Sequence, residues 1–262
     1  MVTIVLKLGG AVCLEPATLG AVADEIRALQ GAGHAVVLVH GGGPQLDAAI
    51  GALGETPVKI DGLRVTSKAA AKVVLEVMDG IGKELTRQLN AAGIKSHHVP
   101  AVAEGFQATV KKVEKGDLGR VGTVARFTAK HRIVGAAEVA VVTPVGFDAQ
   151  GPLNVNADEG ACAVATALRS KWLVLGTDVS AVRGAEGEPL SKLTPKTARK
   201  LIADNTASGG MIPKLSSAVA ALSGGVGKVL VTKVQPGLLQ DAILRNKISG
   251  TLVENDAVLG MA

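Results

Sequence analysis

The sequence predicts an α/β fold built on a largely parallel sheet, and three observations point there. Short apolar, β-branched runs alternate with segments whose apolar residues recur at helical spacing, which is the signature of βαβ units. Glycine clusters stand where a strand-like run hands over to a helix. With 47% apolar residues in 262, the chain can fill a sizeable core, and no repeat or low-complexity tract divides it.

Each element follows in order. Val2 to Leu8 reads as a buried strand ending at Gly9-Gly10, and Pro16 to Gln30 as a helix with Leu19, Val22, Ala23, Ile26 and Leu29 on one face. Ala35 to Val39 is a second strand running through His40 into Gly41-Gly42-Gly43, with Pro44 in the first turn of the next helix, where a missing N–H costs nothing. Lys68 to Ala92 is a long helix with an apolar face of Val73, Val74, Val77, Met78, Ile81 and Leu85, closed by Gly93. That face is core or subunit interface. Val99 to Thr123 is glycine-punctuated and reads as antiparallel hairpins forming a flap over a site. Val139 to Val145 is a strand, Asn154 to Arg169 a helix, Trp172 to Leu175 a strand, and Thr194 to Ala203 a helix capped by Thr194 with Pro195 following. Pro213 to Leu222 is a helix, and Lys228 to Thr232 and Gly250 to Val253 are strands.

Composition narrows the function classes. No apolar run approaches the roughly 20 residues that span a bilayer, and no signal-like segment opens the chain, so a cytoplasmic protein without a membrane partner is expected. Cys13 and Cys162 lie far apart with no Cys or His beside them, which suits two small buried thiols rather than a disulfide or a zinc site. The net charge of +5 comes from dispersed Lys and Arg, densest at Lys111, Lys112 and Lys115, while only 2% of residues are aromatic. That combination argues against nucleic acid, which wants stacking platforms, and favours a small anionic substrate.

The chemistry concentrates at two strand ends, Lys7-Leu8-Gly9-Gly10 and His40-Gly41-Gly42-Gly43. Glycine lets backbone N–H groups approach an anion closely, and the helix N-terminus behind it adds a positive dipole end. In a parallel sheet both clusters fall at the carboxyl edge, where ligands bind. Either cluster alone also suits plain turn chemistry; the pair says more, because Lys7 sits in a run so apolar that it needs an anionic partner. Neither standard nucleotide fingerprint occurs: Ser223 to Val229 approaches a phosphate loop, but valine follows Gly227-Lys228 where Ser or Thr is required.

Six motifs, VLKLGG, VHGGGPQLD, DGLRVT, LNVNAD, TDV and SGGMIPK, follow in the order found in acetylglutamate kinases of the amino-acid kinase superfamily, and the chain resembles that family over nearly its whole length. The resemblance implies a three-layer αβα sandwich with a mainly parallel central sheet. An N-terminal lobe, residues 1–170, would hold the amino-acid substrate and form a homodimer, and a C-terminal lobe, residues 171–262, would hold ATP. The implied reaction is ATP-dependent phosphorylation of the side-chain carboxylate of N-acetyl-L-glutamate, the second step of arginine biosynthesis. By the same resemblance Lys7 and Lys214 neutralise the transferring phosphoryl group and Asp158 orients them; Gly42, Gly43, Arg64 and Asn154 take the substrate. Gly9, Gly10, Gly41, Asp178, Ser208, Gly209, Gly210 and Met211 serve the phosphates and nucleotide. Mg²⁺ would be held by phosphate oxygens and water, with no protein metal ligands.

Read from the residues alone, several of these positions have ordinary alternatives. Asp158 and Asn154 suit a helix cap pair, Lys214 a solvated lysine, Arg64 a surface ion pair and His97-His98 a strand-end pair without a role. The segment VPAVAEGFQATVKK also departs from the family's serine-glycine-lysine-aspartate-glycine hairpin, which puts the shape of the substrate lid in question. The six residues before Lys7 leave no room for the helix that interlaces arginine-inhibited hexamers, so a homodimer insensitive to arginine is expected. The rivals are a kinase of carrier-bound aminoadipate in lysine biosynthesis, against which GLRVT speaks, and a non-catalytic nucleotide-binding regulator, against which intact Lys7, Asp158 and Lys214 speak.

Overall fold

The computed structural model describes residues 1–10, 15–102, 105–133, 135 and 137–255, so Cys13 lies outside the described residues. The first half runs β1 (Thr3–Leu8), α1 (Pro16–Gly31), β2 (Ala35–His40), α2 (Gly43–Ala52), β3 (Lys59–Ile60), β4 (Leu63–Arg64) and α3 (Lys68–Ala91). Strands follow as β5 (Ser96–Val99), β6 (Phe106–Val110), β7 (Val121–Phe127), β8 (Val139–Val142), β9 (Val145–Asp148) and β10 (Gly151–Val155), then α4 (Ala157–Ala167) and β11 (Trp172–Thr177). Short strands β12 (Val182–Arg183), β13 (Pro189–Leu190) and β14 (Lys192–Leu193) precede α5 (Pro195–Ala203) and α6 (Met211–Ser223). The described chain finishes with β15 (Lys228–Lys233), α7 (Leu238–Leu244) and β16 (Thr251–Val253).

Among the described residues the central sheet has eight strands in the order β14-β16-β15-β11-β1-β2-β8-β5. Six of its seven neighbouring pairs are parallel, and only β15 with β16 is antiparallel. Because successive strand residues face opposite ways, each strand supplies two cores. Ile4, Leu6, Leu38, Val141, Val174 and Leu230 face one side, packed by α1, α3 and α7. Val5, Val37, Val39, Leu173, Leu175 and Val229 face the other, packed by α4, α5 and α6. The result is the three-layer αβα sandwich, and this alternation decides where the polar strand residues go. Lys7 falls on the side of Val5, toward α4 and α6, and His40 on the side of Leu38, toward α3.

A second, smaller unit is a closed four-stranded arrangement of β10, β7, β6 and β9. Here β6 and β7 form the antiparallel hairpin expected from the glycine punctuation. Local signals hold well in the helices: Thr194 and Thr197 form a capping box ahead of α5. Two expectations are corrected. Val139 to Val145 is broken at Thr143-Pro144, so β8 and β9 are separate strands. The helix predicted from Asn154 begins at Ala157; Asn154 belongs to β10 and the cap is Asn156, whose side chain accepts the Asp158 and Glu159 N–H groups at 2.9 and 3.3 Å. No helix among the described residues is long and apolar enough to cross a membrane.

Candidate active site

The two glycine clusters are in contact. Leu8 is paired with His40 across β1 and β2, and Gly41 N donates to Leu8 O at 2.8 Å. A Cβ added to Gly10 would lie 2.4 Å from Gly43 N, so only glycine permits this approach. Gln45 Nε2 donates to Gly10 O at 3.0 Å and ties the first loop to α2.

Above the loops stand three buried charges. Lys7 emerges at the carboxyl end of β1, Asp158 from the first turn of α4 and Lys214 from the first turn of α6. Asp158 Oδ1 lies 3.0 Å from Lys7 Nζ, and Lys214 Nζ donates to both Asp158 oxygens at 3.0 Å. Burial pushes the Asp158 carboxyl up, but Lys7 and then Lys214 reverse this and hold it below the usual carboxylate range. Lys214 is lowered, by burial first and then by the neighbouring Lys7 ammonium, which together outweigh its pairing with Asp158. Neither the cap role for Asp158 nor the solvated role for Lys214 describes them: they are 5% exposed each. One carboxylate between two ammoniums leaves a net positive charge in a dry site, which is a place for a further anion.

A cavity of about 220 Å³ opens beside this cluster, lined by Lys7, Gly10, Gly41, Gly42, Gly43, Lys59, Arg64, Asn154 and Asp158 among others. Arg64 is buried rather than a surface residue. It pairs with Asp47 and donates from Nη2 to Gly43 O at 3.0 Å. Asn154 Nδ2 donates to Thr66 Oγ1 at 2.9 Å, which fixes the amide at the cavity wall.

The remaining candidates are not gathered there. Gly9 does not line the cavity, and Asp178 is exposed just past β11, accepting a hydrogen bond from Thr177 Oγ1 at 3.0 Å. Ser208, Gly209, Gly210 and Met211 form the turn into α6, and Gly62 rests on it: a Cβ there would meet Gly209 O at 2.6 Å. The cover over the cavity comes from β3 and β4, through Lys59 and Gly62 to Arg64, with Val121 at the start of β7 also on its wall. Lys111 of the β6–β7 hairpin binds Glu159 at 2.6 Å and roofs a separate cavity of about 870 Å³. The larger cavity contains none of the candidate site residues, and its greater size does not make it the reactive one.

Sequence reasoning passed over Asp47, Gln45 and Asn156. Asn156 carried a usable signal, an Asn two residues ahead of Asp158-Glu159. Asp47 and Gln45 carried none, since their partners come from other parts of the chain. Cys162 is a buried thiol, pushed up to about 11 by burial.

Among the described residues no group of three His, Cys, Asp or Glu side chains is arranged to hold a metal, and both oxygens of Asp158 are engaged by lysines.

Comparison with known proteins agrees with this geometry. A model of the amino acid kinase family matches residues 2–233. An acetylglutamate kinase of Rubrobacter xylanophilus is 35% identical over 260 residues, covering 98% of each chain. One from Erythrobacter litoralis is 37% identical over 272 residues, covering 97% of this chain and 90% of the relative. The solved structure of smu.665 from Streptococcus mutans UA159 matches with a TM-score of 0.79 at 29% identity, over 97% of this chain and 99% of that one. A carbamate kinase from Giardia lamblia, at 17% identity and a TM-score of 0.72, covering 97% of this chain and 99% of that one, shares the fold. With a family match reaching from β1 to β15 and relatives above one-third identity along almost the whole length, this chain belongs to the amino acid kinase family.

Proposed function

We infer that this enzyme is a kinase that transfers the γ-phosphoryl group of ATP to the side-chain carboxylate of N-acetyl-L-glutamate, giving N-acetyl-glutamyl 5-phosphate and ADP in arginine biosynthesis. The observation that carries the reading is the buried Lys7–Asp158–Lys214 cluster set against two touching glycine loops. Phosphoryl transfer spreads charge over equatorial oxygens, and catalysis consists of positioning and electrostatic stabilisation. Two ammoniums fixed by one carboxylate supply that at no cost of reorganisation. The acceptor carboxylate, with an ordinary pKa of about 4.3, is already ionised at pH 7 and needs no general base.

Roles follow from position. Gly10 and Gly42 offer backbone N–H groups to the phosphate in transfer, where it meets the reacting end of the substrate; Gly43 serves that substrate end, and Gly41, whose own N–H is held by Leu8 O, fixes the loop. Arg64 exchanges part of its hold on Asp47 for the α-carboxylate, a like-for-like swap of one carboxylate for another. Asn154 keeps one N–H on Thr66 and retains a second N–H and its carbonyl for the acetamido group. Asp178 and the Ser208–Met211 turn face the nucleotide, with Gly9 supporting the first loop. Magnesium arrives as MgATP, carried on phosphate oxygens. In this reading residues 1–170 serve the amino acid and residues 171–262 the nucleotide. The protein works in the cytoplasm as a homodimer, joined along α3 and the sheet edge at β5.

The test is acetylglutamate-dependent ADP release with MgATP, run beside acetylaminoadipate, glutamate, aspartate and carbamate, and with Lys7→Ala. Turnover on acetylglutamate alone, falling roughly 100- to 1000-fold in the variant, is expected. Turnover on another acid instead moves the substrate, and nucleotide binding without turnover on any of them defeats the kinase reading.

A further inference from the structure

Behind the second glycine loop, on the face of the sheet opposite Lys7, lies a buried hydrogen-bonded chain that the reaction does not use. His40, the last residue of β2, is fully buried. Its Nδ1 lies 3.3 Å from Gly41 O and its Nε2 3.1 Å from Thr143 Oγ1. The same Thr143 oxygen lies 2.9 Å from Nε2 of His98 on β5, and that nitrogen lies 3.5 Å from Asp79 Oδ1 on α3.

Donor and acceptor bookkeeping orders this chain. Gly41 O can only accept, so His40 Nδ1 carries the hydrogen and its Nε2 is bare. Thr143 must then donate to His40 Nε2, and its oxygen in turn accepts from His98 Nε2–H. Asp79 Oδ1 stands beside the same nitrogen without a hydrogen bond of its own. Burial pushes His40 down to about 4, so the ring is neutral at physiological pH, as this arrangement requires.

The helix side is shaped for the chain. Gly82 sits inside α3, where glycine costs about 1 kcal/mol relative to alanine. A Cβ there would meet His98 Nε2 at 2.5 Å and Thr143 Oγ1 at 2.6 Å. The loop itself is pressed onto the same helix, since a Cβ on Gly42 would meet Met78 Sδ at 2.6 Å and Ile81 Cδ1 at 2.9 Å. Holding the Gly41 carbonyl also sets Gly42 N–H, because a trans peptide points the two groups opposite ways. Gly42 lines the catalytic cavity.

We propose that His40, Thr143 and His98 are positioning residues that hold the Gly41–Gly42 peptide in its anion-binding orientation and seat it against α3 at Gly82. The proposal rests on the kinase reading for the identity of the anion, a nucleotide phosphate. It assigns a role to His98, the residue just ahead of the segment that departs from the family hairpin.

Two measurements test it, neither requiring turnover. A long-range ¹H–¹⁵N spectrum of the unaltered protein near pH 7.5, assigned with His98→Gln, should show His40 protonated on Nδ1 and bare on Nε2; a proton on Nε2 overturns the chain. Calorimetry with Mg²⁺ and AMP-PNP should show affinity about tenfold weaker in Thr143→Val and restored to within about twofold in Thr143→Ser, with acetylglutamate affinity little changed. Thr143→Val binding the nucleotide analogue like the unaltered protein overturns the positioning role. Should Thr143→Val not fold, His98→Leu replaces it with the same expected loss and the same overturning result. A protein that fails to phosphorylate acetylglutamate yet meets both expectations defeats the kinase reading alone.

Discussion

The two faces of the central sheet hold two buried polar clusters built from neighbouring strand ends, and they differ in kind. On the α4–α6 face, Lys7, Asp158 and Lys214 are charged and carry more positive than negative charge, and Lys7 and Asp158 line the glycine-walled cavity. On the α3 face, His40, Thr143 and His98 are neutral, pair with one another and satisfy each other's hydrogen bonds. Charge left over in a dry place is an invitation to a ligand, whereas a closed neutral chain stiffens backbone. Lys7 and His40 show how little sequence separates the two outcomes, since the faces alternate residue by residue along adjacent parallel strands.

The largest expected effect tests the charged face. Asp158→Asn leaves two ammoniums facing each other without a carboxylate, so kcat should fall roughly 100- to 1000-fold, with a stability loss of about 3–5 kcal/mol in urea unfolding. Activity within tenfold of the unaltered enzyme would break the contrast between the faces.

The next effect separates the faces by pH. Unfolded His40 has the ordinary value of 6.5, and burial lowers folded His40 to about 4. Between these values the unfolded chain binds a proton that the folded chain refuses, so stability falls as pH drops through that window. Each unit is worth about 1.4 kcal/mol, giving a loss of about 3 kcal/mol by pH 4, with burial of His98 acting in the same direction. Asp158, lowered by its lysines, keeps its contribution until lower pH, below the usual carboxylate range. Urea midpoints from pH 7 to 4 should show a slope that His40→Asn flattens; an unchanged slope would mean the proton goes elsewhere.

The smallest effect sharpens the packing of the neutral face. Gly82→Ala should destabilise by about 1–3 kcal/mol despite alanine's better helix propensity, because its Cβ would strike His98 and Thr143. Gly20→Ala on α1, where nothing lies within 4 Å of the added carbon, should instead stabilise by up to about 1 kcal/mol. Equal shifts in the two midpoints would remove the steric argument.

Much of the fold was legible beforehand because its signals are local. The apolar face of α1, the long helix α3 and the capped start of α5 all rest on residues within a few positions of one another. Errors fell where local signals compete: Asn154 looked like helix because LNVNAD runs without a break into α4, yet pairing with β7 and β9 claims it as strand. The seven-residue α7 went unread, being too short to display a period.

For the site, the residue order alone already pointed to a lysine in an apolar strand, to paired glycine clusters and to motifs whose order marks the family. Which side chains satisfy one another came from packing. Lys7 and Lys214 share Asp158, Arg64 takes Asp47, and His40 reaches His98 through Thr143, across separations that run from 17 residues to more than 103. The physical reason is that propensity and periodicity act over a few residues, whereas buried polar groups choose partners by proximity, which sheet order and face alternation set only once the whole chain has packed.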